Sequence, residues 1–126
     1  MEQKQPKISI VIPAYNEEKI ISNTIATLCD FFQKNLQNYD WKIIIADNNS
    51  TDRTAEMAKK LESESGEKII YKFIPRKGKG LAIRKSWQDF DADFYVFMDA
   101  DLATDLSALP ILIKELENGN DLVIGS

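Results

Sequence analysis

Two aspartates separated by one residue, Asp99 and Asp101, follow an apolar run directly and could hold a metal ion. The run, residues 94–98 (FYVFM), is typical of a buried strand, so both carboxylates are expected at its carboxyl end. In extended backbone, residues two apart point the same way. Paired carboxylates suit Mg²⁺ or Mn²⁺, which also take waters and substrate phosphates. The alternatives are a solvated acidic loop and helix caps.

A basic segment with two glycines lies before this acidic one. Residues 76–80 read RKGKG, and glycines let backbone N–H groups approach an anion just before a predicted helix, whose N-terminus favours negative charge. A diphosphate would fit, although neither the Walker A pattern nor GxGxxG is present. The alternative is a solvated basic turn.

Two further side chains follow predicted strands. Asp47 comes after residues 41–46 (WKIIIA) and could accept a hydrogen bond from a ribose hydroxyl or a base edge, as an acid after a strand does in dinucleotide-binding folds. Helix capping is the alternative. Tyr15, in the loop after residues 8–12 (ISIVI), could stack on a nucleobase or simply pack.

The composition excludes several classes of protein. The 126 residues contain no histidine, which rules out a histidine triad, a histidine-ligated zinc site and a histidine general base. The net charge of −4 argues against a nucleic-acid or membrane-surface binder. Cys29 is the single cysteine, so an internal disulfide is excluded. Because residues 1–7 lack the apolar core of a signal peptide, the chain as it stands is expected in the cytoplasm.

Strand and helix patterns alternate four times along the chain. Strands are predicted at residues 8–12, 41–46, 68–74 and 94–98, with a fifth at 121–124. Asn16 is expected to cap the first helix. The apolar residues on that helix recur at steps of three and four: Ile21, Ile25, Leu28, Phe32 and Leu36.

This alternation predicts one α/β domain over residues 1–126, with a mostly parallel sheet and helices on both faces. Ligands in such folds bind beyond the carboxyl ends of the strands, at a topological switch point. The loops at residues 13–17, 47–52, 75–80 and 99–105 are therefore expected to form the site.

Four segments resemble, in order and spacing, the motifs of family 2 glycosyltransferases of the GT-A fold. They are residues 11–18 (VIPAYNEE), 46–54 (ADNNSTDRT), 76–84 (RKGKGLAIR) and 98–105 (MDADLATD). Within the family they look most like the glucosyl- or mannosyltransferases that use a nucleotide-sugar donor and dolichyl or polyprenyl phosphate. The resemblance implies a Rossmann-like nucleotide-sugar-binding domain.

The resemblance also implies roles by position. The residues that it places in the donor pocket are Pro13, Ala14, Tyr15, Glu17, Asp47, Asn48 and Lys79. It assigns Asp99 and Asp101 as the catalytic pair that holds Mg²⁺ or Mn²⁺ on the donor diphosphate. The family commonly has two aspartates where this chain has Asp47-Asn48, which leaves the contacts to the base open.

The implied reaction moves a hexose from a UDP- or GDP-sugar to a lipid phosphate, an acceptor that needs no general base because it is already an anion. Family members continue past Gly125 and Ser126 into an acceptor-binding segment and often a membrane-attached tail. The resemblance therefore implies a C-terminally truncated, donor-binding fragment that is inactive alone, from a protein at the cytoplasmic face of a membrane.

Three alternatives remain. One is a family 2 transferase that extends a glycan at a hydroxyl acceptor, and another is a non-catalytic nucleotide-sugar-binding module. A phosphoacceptor receiver domain has similar alternation, but it needs acids at the end of its first strand, where residues 13–16 read PAYN.

Overall fold

The computed structural model describes residues 5–75, 92–100, 114, 118 and 122–124, and the structural statements below concern these residues. Their elements are β1 (Lys7–Ala14), α1 (Ile21–Asn35), β2 (Asp40–Asp47), α2 (Thr54–Glu64), β3 (Ile69–Phe73), β4 (Phe94–Met98) and β5 (Leu122–Ile124). The helices that the alternation predicts after the loops at residues 75–80 and 99–105 fall almost wholly outside the described residues. In the described part, no helix is long and apolar enough to cross a membrane.

The described strands form one parallel sheet in the order β3-β2-β1-β4-β5. This confirms the predicted fold class. The chain first moves from β1 to β2 and β3, and then continues on the other side of β1 with β4 and β5. The direction of winding therefore reverses between β1 and β4, which defines the topological switch point.

One face of the sheet packs against α1 and α2. The predicted apolar set of α1 is confirmed, since all five side chains are at most 1% exposed: Ile21, Ile25, Leu28, Phe32 and Leu36. They join Ile10, Ile43 and Val96 from the three central strands in one cluster. Cys29 packs at the edge of this cluster, and burial raises the pKa of its thiol. Both observations agree with a packing role for this cysteine.

The strand β1 continues through a proline, beyond the end predicted for it. The Ala14 carbonyl accepts a 2.8 Å hydrogen bond from the N–H of Asn48, next to β2. Since neighbouring residues of a strand direct their backbone groups to opposite sides, Pro13 faces β4. The pairing of β1 with β4 ends at Val11 and Phe97, so the donor that Pro13 lacks falls just past the last pair. A proline is therefore tolerated in this central strand, beside the switch point.

The outer edge of β3 is covered by side chains from the end of α2 and the residue after it. The N–H of Ile69 donates to Ser65 Oγ at 3.0 Å, and the N–H of Tyr71 donates to Glu62 Oε2 at 2.7 Å. In the described sheet β3 is an edge strand, and these two N–H groups point away from β2. Ser65 and Glu62 thus satisfy donors that an open edge would leave unpaired.

Candidate functional site at the carboxyl edge of the sheet

Three described segments meet where the parallel strands end. Ala14 and Asp47 are partners at the ends of β1 and β2. Asp99 lies two positions after Phe97, whose partner on β1 is Val11, so it is level with Pro13 at the switch point. The structure thus brings most of the predicted site to one edge: Pro13, Ala14, Tyr15, Glu17, Asp47, Asn48 and Asp99. Lys79 and Asp101 lie outside the described residues.

Asn16 joins the loop after β1 to the loop after β2. Its φ of 52° is in the left-handed region, which asparagine tolerates better than most residues. Its Oδ1 accepts the N–H of Thr51 at 2.8 Å and that of Asp52 at 3.3 Å, while its own N–H donates to Ser50 Oγ at 2.9 Å. These contacts hold residues 15–20 and 48–53 together as one unit.

The expected helix cap at Asn16 is wrong. The helix α1 begins at Ile21, and the residue before it, Ile20, makes no capping bond through its side chain. The Glu17 carbonyl accepts the N–H of Ile21 at 2.8 Å, so a short turn precedes the helix. The side chain of Asn16 bonds the neighbouring loop instead, a contact between residues far apart in sequence that local pattern could not reveal.

Asp52 reinforces the same junction. Its Oδ2 accepts the N–H of Glu18 at 3.2 Å, and its Oδ1 accepts the N–H of Thr54 at 2.9 Å as well as the Thr54 hydroxyl. The Thr54 Oγ1 in turn accepts the N–H of Glu17 at 2.7 Å. Desolvation acts to raise the pKa of Asp52, but the bonds from Thr54 and Glu18 outweigh it and lower that pKa. A charged Asp52 therefore accepts hydrogen bonds from the loop after β1 and from the start of α2.

Replacing Asn16 tests how much this junction contributes. Asn16→Ala should lower the free energy of unfolding by about 2 kcal/mol, because alanine loses the amide contacts and tolerates positive φ poorly. Asn16→Gly, which accepts that φ, should cost about 1 kcal/mol. Urea titration of the two variants beside the parent measures both values. Equal stability of Asn16→Ala and the parent would contradict the assignment.

Asp47 is buried at the base of the site, with 1% of its surface exposed. Its Oδ1 accepts the N–H of Ser50 at 3.0 Å, and its Oδ2 accepts the Tyr71 hydroxyl at 2.7 Å. The helix-capping alternative is not met, because Asp47 closes a turn at Ser50 whereas α2 begins later, at Thr54, with Arg53 as its N-cap residue. An ionised carboxylate has about four acceptor positions, so these two bonds do not exhaust it. Tyr15, by contrast, is 37% exposed beside this edge.

The turn after β4 is anchored to α1 by a residue that sequence reasoning missed. Thr24 Oγ1 donates to the Ala100 carbonyl at 3.2 Å, and both residues are buried. Ala100 lies between the two predicted metal-binding acids, so this bond helps to fix where Asp99 leaves the sheet. A signal was present in the sequence, because Thr24 interrupts the apolar face of α1 between Ile21 and Leu28.

Removing the hydrogen bond from Thr24 should lower both the stability of the fold and the affinity for Mn²⁺. Thr24→Val keeps the shape but leaves a buried carbonyl without its donor, which should cost about 1–3 kcal/mol. Thr24→Ser retains the hydroxyl and serves as the matched control. Chemical denaturation measures the loss in the free energy of unfolding. Titration of the two variants with Mn²⁺ measures the effect on metal binding by the two predicted acids. If Thr24→Val and Thr24→Ser bound Mn²⁺ with the same affinity, the Thr24 hydrogen bond would not contribute to metal binding.

The described residues suit a divalent cation only in part. Within them, no group of three histidine, cysteine or acidic side chains is arranged to hold a metal. They do provide the half-buried Asp99 at the strand end, and Mg²⁺ or Mn²⁺ needs only one or two protein carboxylates when phosphates and waters complete its shell. This oxygen donor therefore fits such an ion.

A comparison with protein-family models decides the family. Residues 9–126 match the model described as Glycosyl transferase family 2, which is nearly the whole chain. The chain belongs to glycosyl transferase family 2. The family places it among transferases, and the four segments that suggested this family all lie within or overlap the matched region.

Curated relatives of this family 2 chain include sugar transferases whose names refer to a lipid phosphate. It is 33% identical over 120 residues to a dolichol-phosphate mannosyltransferase of Pyrococcus furiosus, covering 95% of this chain and 33% of the relative. It is 37% identical over 119 residues to Protein RfbJ of Shigella flexneri, covering 94% and 83%. The chain thus spans about a third of the archaeal relative and most of the bacterial one.

A solved structure supports the fold of the family 2 chain. A mannosyltransferase from Pyrobaculum calidifontis, in complex with GDP-Man and Mn²⁺, aligns with a TM-score of 0.65 over 78% of this chain and 28% of the other. The identity is 20%, so this likeness bears on the fold alone. It agrees with the parallel sheet and its reversal between β1 and β4.

Proposed function

We propose that this chain supplies the donor-binding half of a metal-dependent hexosyltransferase that moves sugar from a nucleotide-diphosphate donor to a polyprenyl phosphate. The observation that carries the proposal is the position of Asp99 at the switch point, level with Pro13 and beside the two joined loops, in a chain that matches the family model. Ligands of open parallel sheets bind at this position.

The charge at this edge supports a bound cation. Five carboxylates belong to the described segments: Glu17, Glu18, Asp47, Asp52 and Asp99. A diphosphate brought near them meets repulsion unless positive charge lies between. We assign that charge to a divalent ion on Asp99 and Asp101, and to Lys79. When bound, the ion would supply electrostatic stabilisation of the departing nucleoside diphosphate.

The protein's own residues would bind and orient the donor. Asn16 and Asp52 hold the two loops in a fixed relation, so the pocket for the nucleoside needs little rearrangement on binding. Tyr15, exposed beside Ala14, is assigned to contact the nucleobase or ribose. Thr24 would keep the turn that carries Asp99 in position through the Ala100 carbonyl.

The proposed acceptor is a lipid phosphate. The name of the Pyrococcus furiosus relative describes mannosyl transfer to dolichol phosphate, and such an acceptor attacks without a general base. We further propose that acceptor binding and membrane association belong to sequence outside these 126 residues, and that the whole protein works at the cytoplasmic face of a membrane. These residues alone would then bind donor without efficient transfer.

Thermal shift with GDP, UDP and their sugars, with and without Mn²⁺, tests the donor site. At a hundred times its dissociation constant a ligand stabilises the folded state by about 2.7 kcal/mol, which is a readily measured shift. One nucleotide is expected to raise the melting temperature only when Mn²⁺ is present, and adenosine diphosphate serves as a control for the base. If no nucleotide shifts the melting temperature with metal present, the proposal fails.

Transfer assays on a longer chain that includes an acceptor-binding region would separate the remaining alternatives. Hexose transfer to polyprenyl phosphate supports the proposal. Transfer to a sugar hydroxyl would instead identify a glycan-extending enzyme, and donor binding without any turnover would identify a non-catalytic nucleotide-sugar-binding module.

A further inference from the structure

A tyrosine on the third strand donates a hydrogen bond to the buried carboxylate at the base of the site. The Tyr71 hydroxyl donates to Asp47 Oδ2 at 2.7 Å, and on the opposite oxygen the N–H of Ser50 donates at 3.0 Å. With one donor on each oxygen, rotation of the carboxylate about its last side-chain bond would break a hydrogen bond. The plane of the carboxylate is therefore fixed.

Tyr71 is itself held in place on several sides. Its N–H donates to Glu62 Oε2 at 2.7 Å, and Lys59 Nζ lies 5.3 Å from the centre of its ring. Burial first, and then the hydrogen bond and charge of Asp47, raise the pKa of Tyr71, so the phenol remains a donor throughout the neutral range. The donor to Asp47 is thus held by neighbouring groups and stays protonated in the neutral range.

The orientation of Asp47 matters because so little of it is accessible. Since only 1% of the residue's surface is exposed, a ligand that bonds Asp47 would have to reach one edge of its carboxylate through very little accessible surface. Whether an acceptor lone pair lies at that edge depends on the plane of the carboxylate. A hydrogen bond from a ribose hydroxyl or a base N–H needs such an acceptor in the correct direction.

We propose that Tyr71 is a positioning residue for the nucleoside part of the donor, which acts by orienting the Asp47 carboxylate. This inference rests on the proposed function and adds to it a residue outside the motifs of the family resemblance. It divides the site in two, since Tyr71 and Asp47 would serve the nucleoside while Asp99 serves the diphosphate and its metal.

Binding of two ligands to two variants tests the division. Isothermal titration in Mn²⁺ compares the nucleoside diphosphate that binds the parent with inorganic pyrophosphate, which lacks a nucleoside. Tyr71→Phe removes one oxygen and keeps the ring, and it should weaken nucleoside diphosphate binding by about tenfold while changing pyrophosphate binding less than about twofold. Tyr39→Phe is the matched control. Tyr39 is also half-buried, but it packs on Phe94 at the amino ends of the strands, away from the site.

The double variant tests whether Tyr71 acts through Asp47. Asp47→Asn should weaken nucleoside diphosphate binding, and adding Tyr71→Phe to it should then have little further effect, because coupled residues are not additive. A second measurement needs no variant: the Ser50 amide of the parent should exchange more slowly with nucleoside diphosphate bound and should not respond to pyrophosphate.

Each outcome bears on one of the two proposals. Equal nucleotide affinity of Tyr71→Phe and the parent overturns the positioning role and leaves the proposed function standing. Equal weakening of both ligands, additive effects in the double variant, or a Ser50 amide that ignores the nucleotide also overturn it. If the parent itself binds no nucleotide with Mn²⁺ present, the proposed function fails and the inference fails with it.

Discussion

Asp99→Asn is expected to abolish the Mn²⁺-dependent binding of the nucleoside diphosphate while leaving the fold intact. The amide keeps the shape of the side chain, but it lacks the negative charge that a divalent ion requires, so nucleotide affinity should fall by at least about a hundredfold in Mn²⁺. Thermal shift and isothermal titration, each with Mn²⁺ and with a chelator, measure the loss. Without metal, neither the parent nor the variant should give a nucleotide-dependent signal.

Asp30→Asn is the matched control for the charge change. Asp30 lies on α1 and forms an exposed pair with Lys34 at 3.1 Å, so its loss should alter neither stability nor binding appreciably. If Asp99→Asn bound nucleotide with Mn²⁺ as well as Asp30→Asn does, the metal assignment at the end of β4 would be wrong. A parallel Asp101→Asn variant tests the other predicted acid in the same assay.

Phe32→Ala is expected to have the largest effect on stability, a loss of about 3–5 kcal/mol in the free energy of unfolding. Phe32 is fully buried, and its ring centroid lies 5.5 Å from that of Trp41 and 5.9 Å from that of Phe31. Truncation should leave a cavity between α1 and β2, in the space that the Phe32 ring occupies. Urea unfolding followed by tryptophan fluorescence measures the loss.

The adjacent Phe31→Ala is a demanding control, because it removes the same atoms from the same helix. Phe31 is only partly buried at the edge of the cluster, so its truncation should cost clearly less than that of Phe32. Similar losses for the two variants would mean that α1 does not present the face assigned to it.

The sequence predicted the features that depend on local pattern. Near-continuous apolar runs identified every described strand, with ends within two residues, and the spacing from Ile21 to Leu36 identified the buried face of α1. Because parallel strands end at one edge, the chain positions of Asp47 and Asp99 were enough to predict that both would lie there. Whether Asp101 and Lys79 join them stays a prediction.

The contacts that join distant segments could not be predicted in the same way. Asparagine is a favoured residue type for a helix cap, which is why Asn16 was predicted to be one. Only the approach of the loop after β2 makes Thr51 and Asp52 its partners. Tyr71 fits an ordinary strand, and nothing near it in sequence indicates that its hydroxyl bonds Asp47. Such bonds depend on how neighbouring strands and loops align in space, which periodicity does not record.

The cover on the outer edge of β3 has a consequence for behaviour at high protein concentration. A strand from another molecule could add to this edge only by displacing Ser65 and Glu62 from the N–H groups of Ile69 and Tyr71. Glu62 would then leave a short, charge-assisted bond, and its negative charge would oppose the incoming backbone carbonyls. We therefore expect the end of α2 and Ser65 to hinder strand addition at β3 in the folded chain, and this protection to be absent until α2 has docked during folding.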